Sequence, residues 1–368
     1  MRRLLFLALV VPLSLSPSQT GCLHGPPLRA SQVSSDEFGR LIQYLSEESG
    51  FFWSNNYISN ETSYLHVLDQ LERLQVRGGV YLGVGPNQNF TYIAHIRPQL
   101  AFIVDIRRQN MLEHLLFKAL MEKAETRQQF LSFLTGRPIH GPPMPREGSI
   151  EELVGSIEKA APDVTFFEAR LEEALFSLRS RTEIGLSSGD LKEVERIYRQ
   201  FFLQGLEIKY DSWRAFFFPT LKEFILETDL QGRRRNWLAT HEGYQFVRDM
   251  QRTNRIIPAV GDFAGGQALR RLGEELHRRG ETVSAFYVSN VEFYLFRQRK
   301  WLNFVDNVRQ LPIDRRSVFI RAYANLHRPH PHMVGDHITV TLVQNMERFL
   351  HNVDQGRYRD LWDVVTLE

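Results

Sequence analysis

The run VYLGVGPNQNFTYIAHIRPQLAFIVDI, Val80 to Ile106, decides the fold. Its first apolar stretch, Val80 to Leu82, stops at Gly83-Val84-Gly85. Its second, Leu100 to Val104, stops at Asp105, with a short amphipathic stretch between. Near-continuous apolar strands linked by a helix belong to a parallel sheet covered on both faces. Upstream, SSDEFGRLIQYLSEESGFF begins with a capping signature at Ser35 or Asp36. SNETSYLHVLDQLERLQVRGG repeats it, with Asn60 or Thr62 as cap, Leu65, Leu68 and Leu71 on one face and Gly78-Gly79 as the stop. Downstream, a helix starts at Asn110. A mostly helical region follows, through the loop GRPIHGPPMPREGS and the amphipathic FFEARLEEALFSLRS, with no parallel-strand signal. Strands return as RIIPAVGDF, TVSAFYVSNV, SVFIRAYANL and HITVTLV, with helices between the first three. The last strand can join antiparallel. The expectation is an α/β fold in residues 35–368 with a mostly parallel sheet and a large helical insertion at about 112–254.

In a Rossmann-like sheet of this kind, ligands bind beyond the carboxyl ends of the strands, where strand order reverses. Gly83 and Gly85 end the first strand, where glycine lets the chain turn and a ligand approach the backbone. Asp105 ends the second, twenty residues after Gly85, and can accept two hydrogen bonds from a ribose. Gln88 stands where G-x-G-x-x-G has its third glycine, so the loop suits a nucleoside without a pyrophosphate better than a dinucleotide. Asp262 and Phe263 end the third strand and suit an adenine amino group and ring. Ser289, Asn290 and Glu292 end the fourth, where the reacting end of a ligand belongs. The competing reading keeps the glycines as a tight turn and both acids as helix N-caps.

These strand ends together resemble the class I S-adenosylmethionine-dependent methyltransferase fold over residues 78–106 and 255–343. Within that superfamily, VDIRRQNMLEHLLFKAL, FLSFLTGRP and FYVSNVEFYLF are similar to the aminocarboxypropyl transferases that make betaine lipids. The whole chain, through GDFAGGQAL and SNVEFYLF, more closely resembles an uncharacterised bacterial family regarded as methyltransferase-like. The resemblance implies S-adenosylmethionine as cofactor. Gly83 and Gly85 would lie under its methionine part, Asp105 on the ribose, Asp262 and Phe263 on the adenine, and Asn87 and Ser289 at the cofactor. Asn290 and Glu292 would serve the reacting centre, with Glu292 or a histidine as base. Tyr81 stands where the methyltransferase loop carries an acid, and Asn87 where it carries a glycine. The implied activity is methyl or aminocarboxypropyl transfer to a small-molecule or lipid acceptor.

Composition narrows the partners. The net charge of +2 over 368 residues gives no field for a nucleic acid. One cysteine excludes a disulfide framework. MRRLLFLALVVPLSLSPSQTGC reads as a signal peptide over residues 1–22, its apolar run being shorter than the roughly 20 residues of a membrane span. Cys22 after Thr20-Gly21 fits a lipoprotein cleavage site, although Gln19 replaces the aliphatic residue expected there. Residues 23–34 read as a flexible tether. The localisation that follows is exported, periplasmic or membrane-anchored through Cys22; the alternative is cytoplasmic, and with export goes a non-catalytic Rossmann-like lipoprotein with a degenerate pocket. HRPHPHMVGDH places His327, His330, His332, Asp336 and His337 in one loop, but a solvated loop is favoured over a metal site because no helical spacing fixes a third ligand.

Overall fold

Val80–Gly83 (β1), Leu100–Asp105 (β2), Ile256–Val260 (β3), Val283–Ser289 (β4), Val318–Ala324 (β5) and Thr339–Asn345 (β6) form one sheet in the computed structural model, ordered β3-β2-β1-β4-β5-β6. The structure describes residues 32–210, 218–325, 328–335 and 337–367. The pairings from β3 through β5 are parallel, and β6 joins β5 antiparallel at the edge. Every residue of β1, β2 and β3 is buried, which explains their unbroken apolar runs: both faces are covered. Residues of β5 and β6 become partly exposed toward the edge. Strand order reverses between β1 and β4, so β1 runs to β2 on one side and the chain later returns to β4 on the other.

The stretch between β2 and β3 is helical, with no strand among its described residues apart from two isolated bridges, Lys209 to Thr220 and Thr228 to Arg234. The helix Arg108–Lys123 packs on β2 and β3, and His241–Arg252 packs on it and on Gln88–Ile96. Between them lie Arg127–Thr135, Ile150–Lys159, Val164–Arg179, Ser188–Gln204 and Leu221–Ile225. Capping boxes start three of the helices, at Ser149 with Glu152, Ser187 with Asp190 and Thr220 with Glu223. Among the described residues, no helix is long and apolar enough to cross a membrane.

Two expected helix starts are displaced. Ser34, not Ser35 or Asp36, caps the first helix, Ser35–Leu45. The second helix covers only Leu68–Arg73, and neither Asn60 nor Thr62 caps it. The reason is tertiary: the backbone N–H groups of Thr62 and Ser63 donate to Thr339 Oγ1 on β6, and Ser63 Oγ pairs with Thr339 and Thr341 at 3.0 Å each. Leu65, Leu68 and Leu71 are nevertheless all buried. Gly78 and Gly79, at φ 68° and 57°, make the turn into β1. The signal-peptide reading of residues 1–22, Cys22, residues 23–31 of the tether, His327 and Asp336 lie outside the described residues.

Candidate functional site

A cleft opens at the carboxyl ends of the strands, at the β1/β4 reversal. Gly85 lines it after β1, Asp105 and Arg107 after β2, Asp262 and Phe263 after β3, and Ser289 and Asn290 after β4. Its far wall is the segment after the first helix, from Phe51 to Asn60. That segment is held to the sheet by backbone bonds: Glu47 N–H donates to Val260 O at 3.1 Å and Gly50 N–H to Ile106 O at 2.9 Å. The cleft volume is about 130 Å³, below the roughly 300–1,000 Å³ usual for small-molecule sites.

Six of the nine sequence-predicted residues therefore meet: Gly85, Asp105, Asp262, Phe263, Ser289 and Asn290. Gly83, Asn87 and Glu292 do not line the cleft. Gly83 makes room for a neighbour, because a Cβ there would overlap Asn89 Oδ1. Asn89 is the staple of the loop: its Nδ2 donates to the carbonyls of Val84, Gly85 and Pro86 at 3.0, 3.0 and 2.7 Å, and its Oδ1 accepts from Tyr81 Oη at 2.9 Å. Tyr81, in the place of the expected acid, thus anchors the loop. Asn87 lies under the loop beside Phe117 and Trp237, with Oδ1 unpartnered. Glu292, the base expected from sequence, is buried against Arg321 at 2.7 Å, so its carboxylate is committed away from the cleft.

Both strand-end acids are already engaged. Asp105 Oδ1 accepts from Arg107 N–H at 2.8 Å and Arg107 Nε at 3.1 Å, and Oδ2 from Arg107 Nη2 at 3.0 Å. Asp262 Oδ1 accepts from Ala264 N–H at 2.9 Å and Oδ2 from Lys300 Nζ at 3.0 Å. Neither acid caps a helix with its side chain. The Phe263 ring is 3% exposed and packs on Phe286 and Phe304, which leaves little of it to stack on a ligand. Asn290 makes no side-chain hydrogen bond among the described residues.

Glu61 went unnoticed in the sequence. It is buried behind the cleft, where Oε1 accepts from Tyr287 Oη at 2.7 Å and from Ser289 Oγ, and Oε2 from Gln88 Nε2 at 2.9 Å. Burial raises its carboxyl above the usual range, against the pull of those three donors. Gln88, in the place of the third glycine, belongs to this network and also accepts from Ser59. Ser289 itself stands at φ 52°, a conformation that costs a non-glycine residue about 1–3 kcal/mol and often accompanies function. Asp-x-Arg at 105–107 was the one readable signal for the ion pair. Nothing local marks Glu61.

On the helix after β2, Asn110, Glu113 and His114 share a face. His114 Nε2 contacts Gly85 O at 2.9 Å, and burial lowers its imidazole from 6.5 to about 4. The unfolded chain thus gains a proton near pH 6.5 and the folded protein only near 4. Stability is full above pH 6.5 and falls as the pH drops toward 4, by about 3 kcal/mol at about 1.36 kcal/mol per unit. His114→Gln should flatten that slope; urea midpoints at closely spaced pH values, for both proteins, measure it.

Among the described residues no group of three or more His, Cys, Asp or Glu is placed to hold a metal ion. No curated protein matches the chain. The pattern of a family described as a domain of unknown function, DUF7790, matches residues 57–138 and 193–366, more than half of the chain. Those stretches carry all six strands and every cleft residue except Phe51, Phe52 and Asn56, and the chain belongs to the DUF7790 family.

Proposed function

We propose that the cleft binds S-adenosylmethionine on a class I methyltransferase-like fold and that the protein transfers a methyl or aminocarboxypropyl group to a small-molecule or lipid acceptor. One observation carries this reading: residues from four strand ends, Gly85 with the polar Asp105, Asp262 and Asn290, line a single cleft at the point where strand order reverses. The acceptor set suits the adenosyl group in type and order. Asp105 is the hydroxyl acceptor, Asp262 the acceptor for an amino group, and the cleft face at Gly85 is open, since a Cβ there would touch nothing. The fit requires Arg107 to leave the Asp105 carboxylate.

When bound, the cofactor supplies a carbon activated by its sulfonium. The protein's share is alignment, which can be worth about 7–11 kcal/mol. The free amide of Asn290 orients the acceptor, and Phe52, Tyr210 and Tyr294 shield the cleft from water. Calorimetric titration of S-adenosylmethionine and S-adenosylhomocysteine should give binding heat with folded protein, with affinity at least tenfold weaker in Asp262→Asn. Absence of heat with both compounds contradicts the reading.

The closed Asp105–Arg107 pair and the small cleft favour a second reading, a non-catalytic Rossmann-like protein with a degenerate pocket. On that reading it is exported and periplasmic, or anchored to the membrane through Cys22. Metabolic lipid labelling that depends on Cys22 supports it, and soluble cytoplasmic protein without label counts against it.

A further inference from the structure

We propose that Arg107 has two seats, Asp105 and the Asn110–Glu113 face of its own helix, and that a ligand with two adjacent hydroxyls selects the second seat by taking Asp105. The inference rests on the adenosyl reading of the cleft and names Arg107 as the positioning residue that sets its access.

The first seat is the observed one, a side-on ion pair in which the guanidinium uses Nε and Nη2. Arg107 and Asp105 both line the cleft, so a diol arriving at Asp105 meets the guanidinium already there. Among the described residues, no other carboxylate forms an ion pair with Arg107. Its ring neighbour is Phe52, 5.9 Å from the guanidinium carbon.

The second seat is built and unpartnered. Asn110 is 1% exposed, and both its Oδ1 and its Nδ2 lack a hydrogen bond; Glu113 is 1% exposed, and its Oε1 lacks one. Buried polar atoms are rarely left unpaired, and the two acceptors among these, Asn110 Oδ1 and Glu113 Oε1, lie on adjacent turns of one helix face and form a place for a donor-rich group. Arg107 directly precedes that helix. Asn110 and Glu113 lie about 4.5 and 9 Å further along its axis at roughly 1.5 Å per residue. Helical side chains lean toward the N-terminus, which brings Glu113 back toward Arg107.

The charges facing Glu113 agree. Burial raises its carboxyl well above the usual range, the Arg107 charge draws it back down, and the Asp105 charge raises it. Tyr57, whose hydroxyl accepts from Arg196 Nη1 at 2.8 Å, also feels the Glu113 charge, and His114 adjoins Glu113 on the same helix. A guanidinium moving onto Glu113 favours the carboxylate form of its side chain and lowers its raised carboxyl, any proton released going to solvent.

The first test needs no ligand. In a crystal structure of Asp105→Ala, the guanidinium should hydrogen-bond Asn110 or Glu113, and a carbon-13 NMR pH titration should find the Glu113 carboxyl pKa lower there than in the wild type, the resonance being assigned by its loss in Glu113→Gln. A guanidinium found anywhere else overturns the proposal. The second test uses adenosine as the probe. Arg107→Met should bind it at least tenfold more tightly than the wild type, and Glu113→Gln at least tenfold more weakly. Equal affinity in Arg107→Met and wild type overturns the two-seat proposal alone. No binding even to Arg107→Met overturns the adenosyl reading and the diol selection together. Where Arg107→Met is too unstable to titrate, the Asp105→Ala structure decides.

Discussion

Gly83→Ala should destabilise the protein by about 3 kcal/mol in equilibrium urea unfolding, a large effect for one methyl group. Gly83 ends β1 with an ordinary backbone, so the cost is spatial. Its Cβ would fall on Asn89 Oδ1 and lie 2.8 Å from the Tyr81 ring. Asn89 cannot yield, because its amide is spent on three loop carbonyls and on Tyr81. Moving it leaves those buried groups unpaired, at about 1–3 kcal/mol each. The two positions must therefore couple. In an Asn89→Ala background, itself strongly destabilised, Gly83→Ala should cost less than about 1 kcal/mol. Additive costs would contradict the staple.

Arg321→Met should lose about 3–5 kcal/mol, because it strands Glu292. The pair is buried on both sides, at 1% and 2% side-chain exposure, and Arg321 has two unpartnered nitrogens, Nη1 and Nη2, over the rings of Phe319 and Phe349. Such a pair holds much weaker title to stability than to mutual dependence. The Coulomb attraction roughly offsets desolvation, so removing both charges is close to neutral. The double variant Arg321→Met with Glu292→Leu should regain most of the loss, measured by urea titration of both single variants and the double. A double variant as unstable as Arg321→Met would mean that the pair does more than neutralise itself.

Much of the sheet could be read from the chain because its central strands are buried on both faces, which writes an uninterrupted apolar run for each. The glycines and acids at their ends were visible for the same reason: they break those runs. What they do there was less legible. Gly83 and Gly85 look alike in sequence, yet one accommodates Asn89 and the other lines the cleft at φ 76°. Asp105 has the spacing of a ribose ligand, but a residue two positions on folds back and holds it. Glu61 reads as part of a helix start; only contact with Gln88, Tyr287 and Ser289, from distant segments, draws it inside. Local pattern carries the strands, while contacts between remote segments decide which polar residues stay available.

Crystals soaked with S-adenosylhomocysteine put the cleft itself to the test. The account predicts the adenosyl group between Gly85 and Asp262, its hydroxyls on the Asp105 carboxylate and the Arg107 guanidinium displaced. Bound ligand elsewhere, or an unchanged Asp105–Arg107 pair under saturating compound, would contradict it.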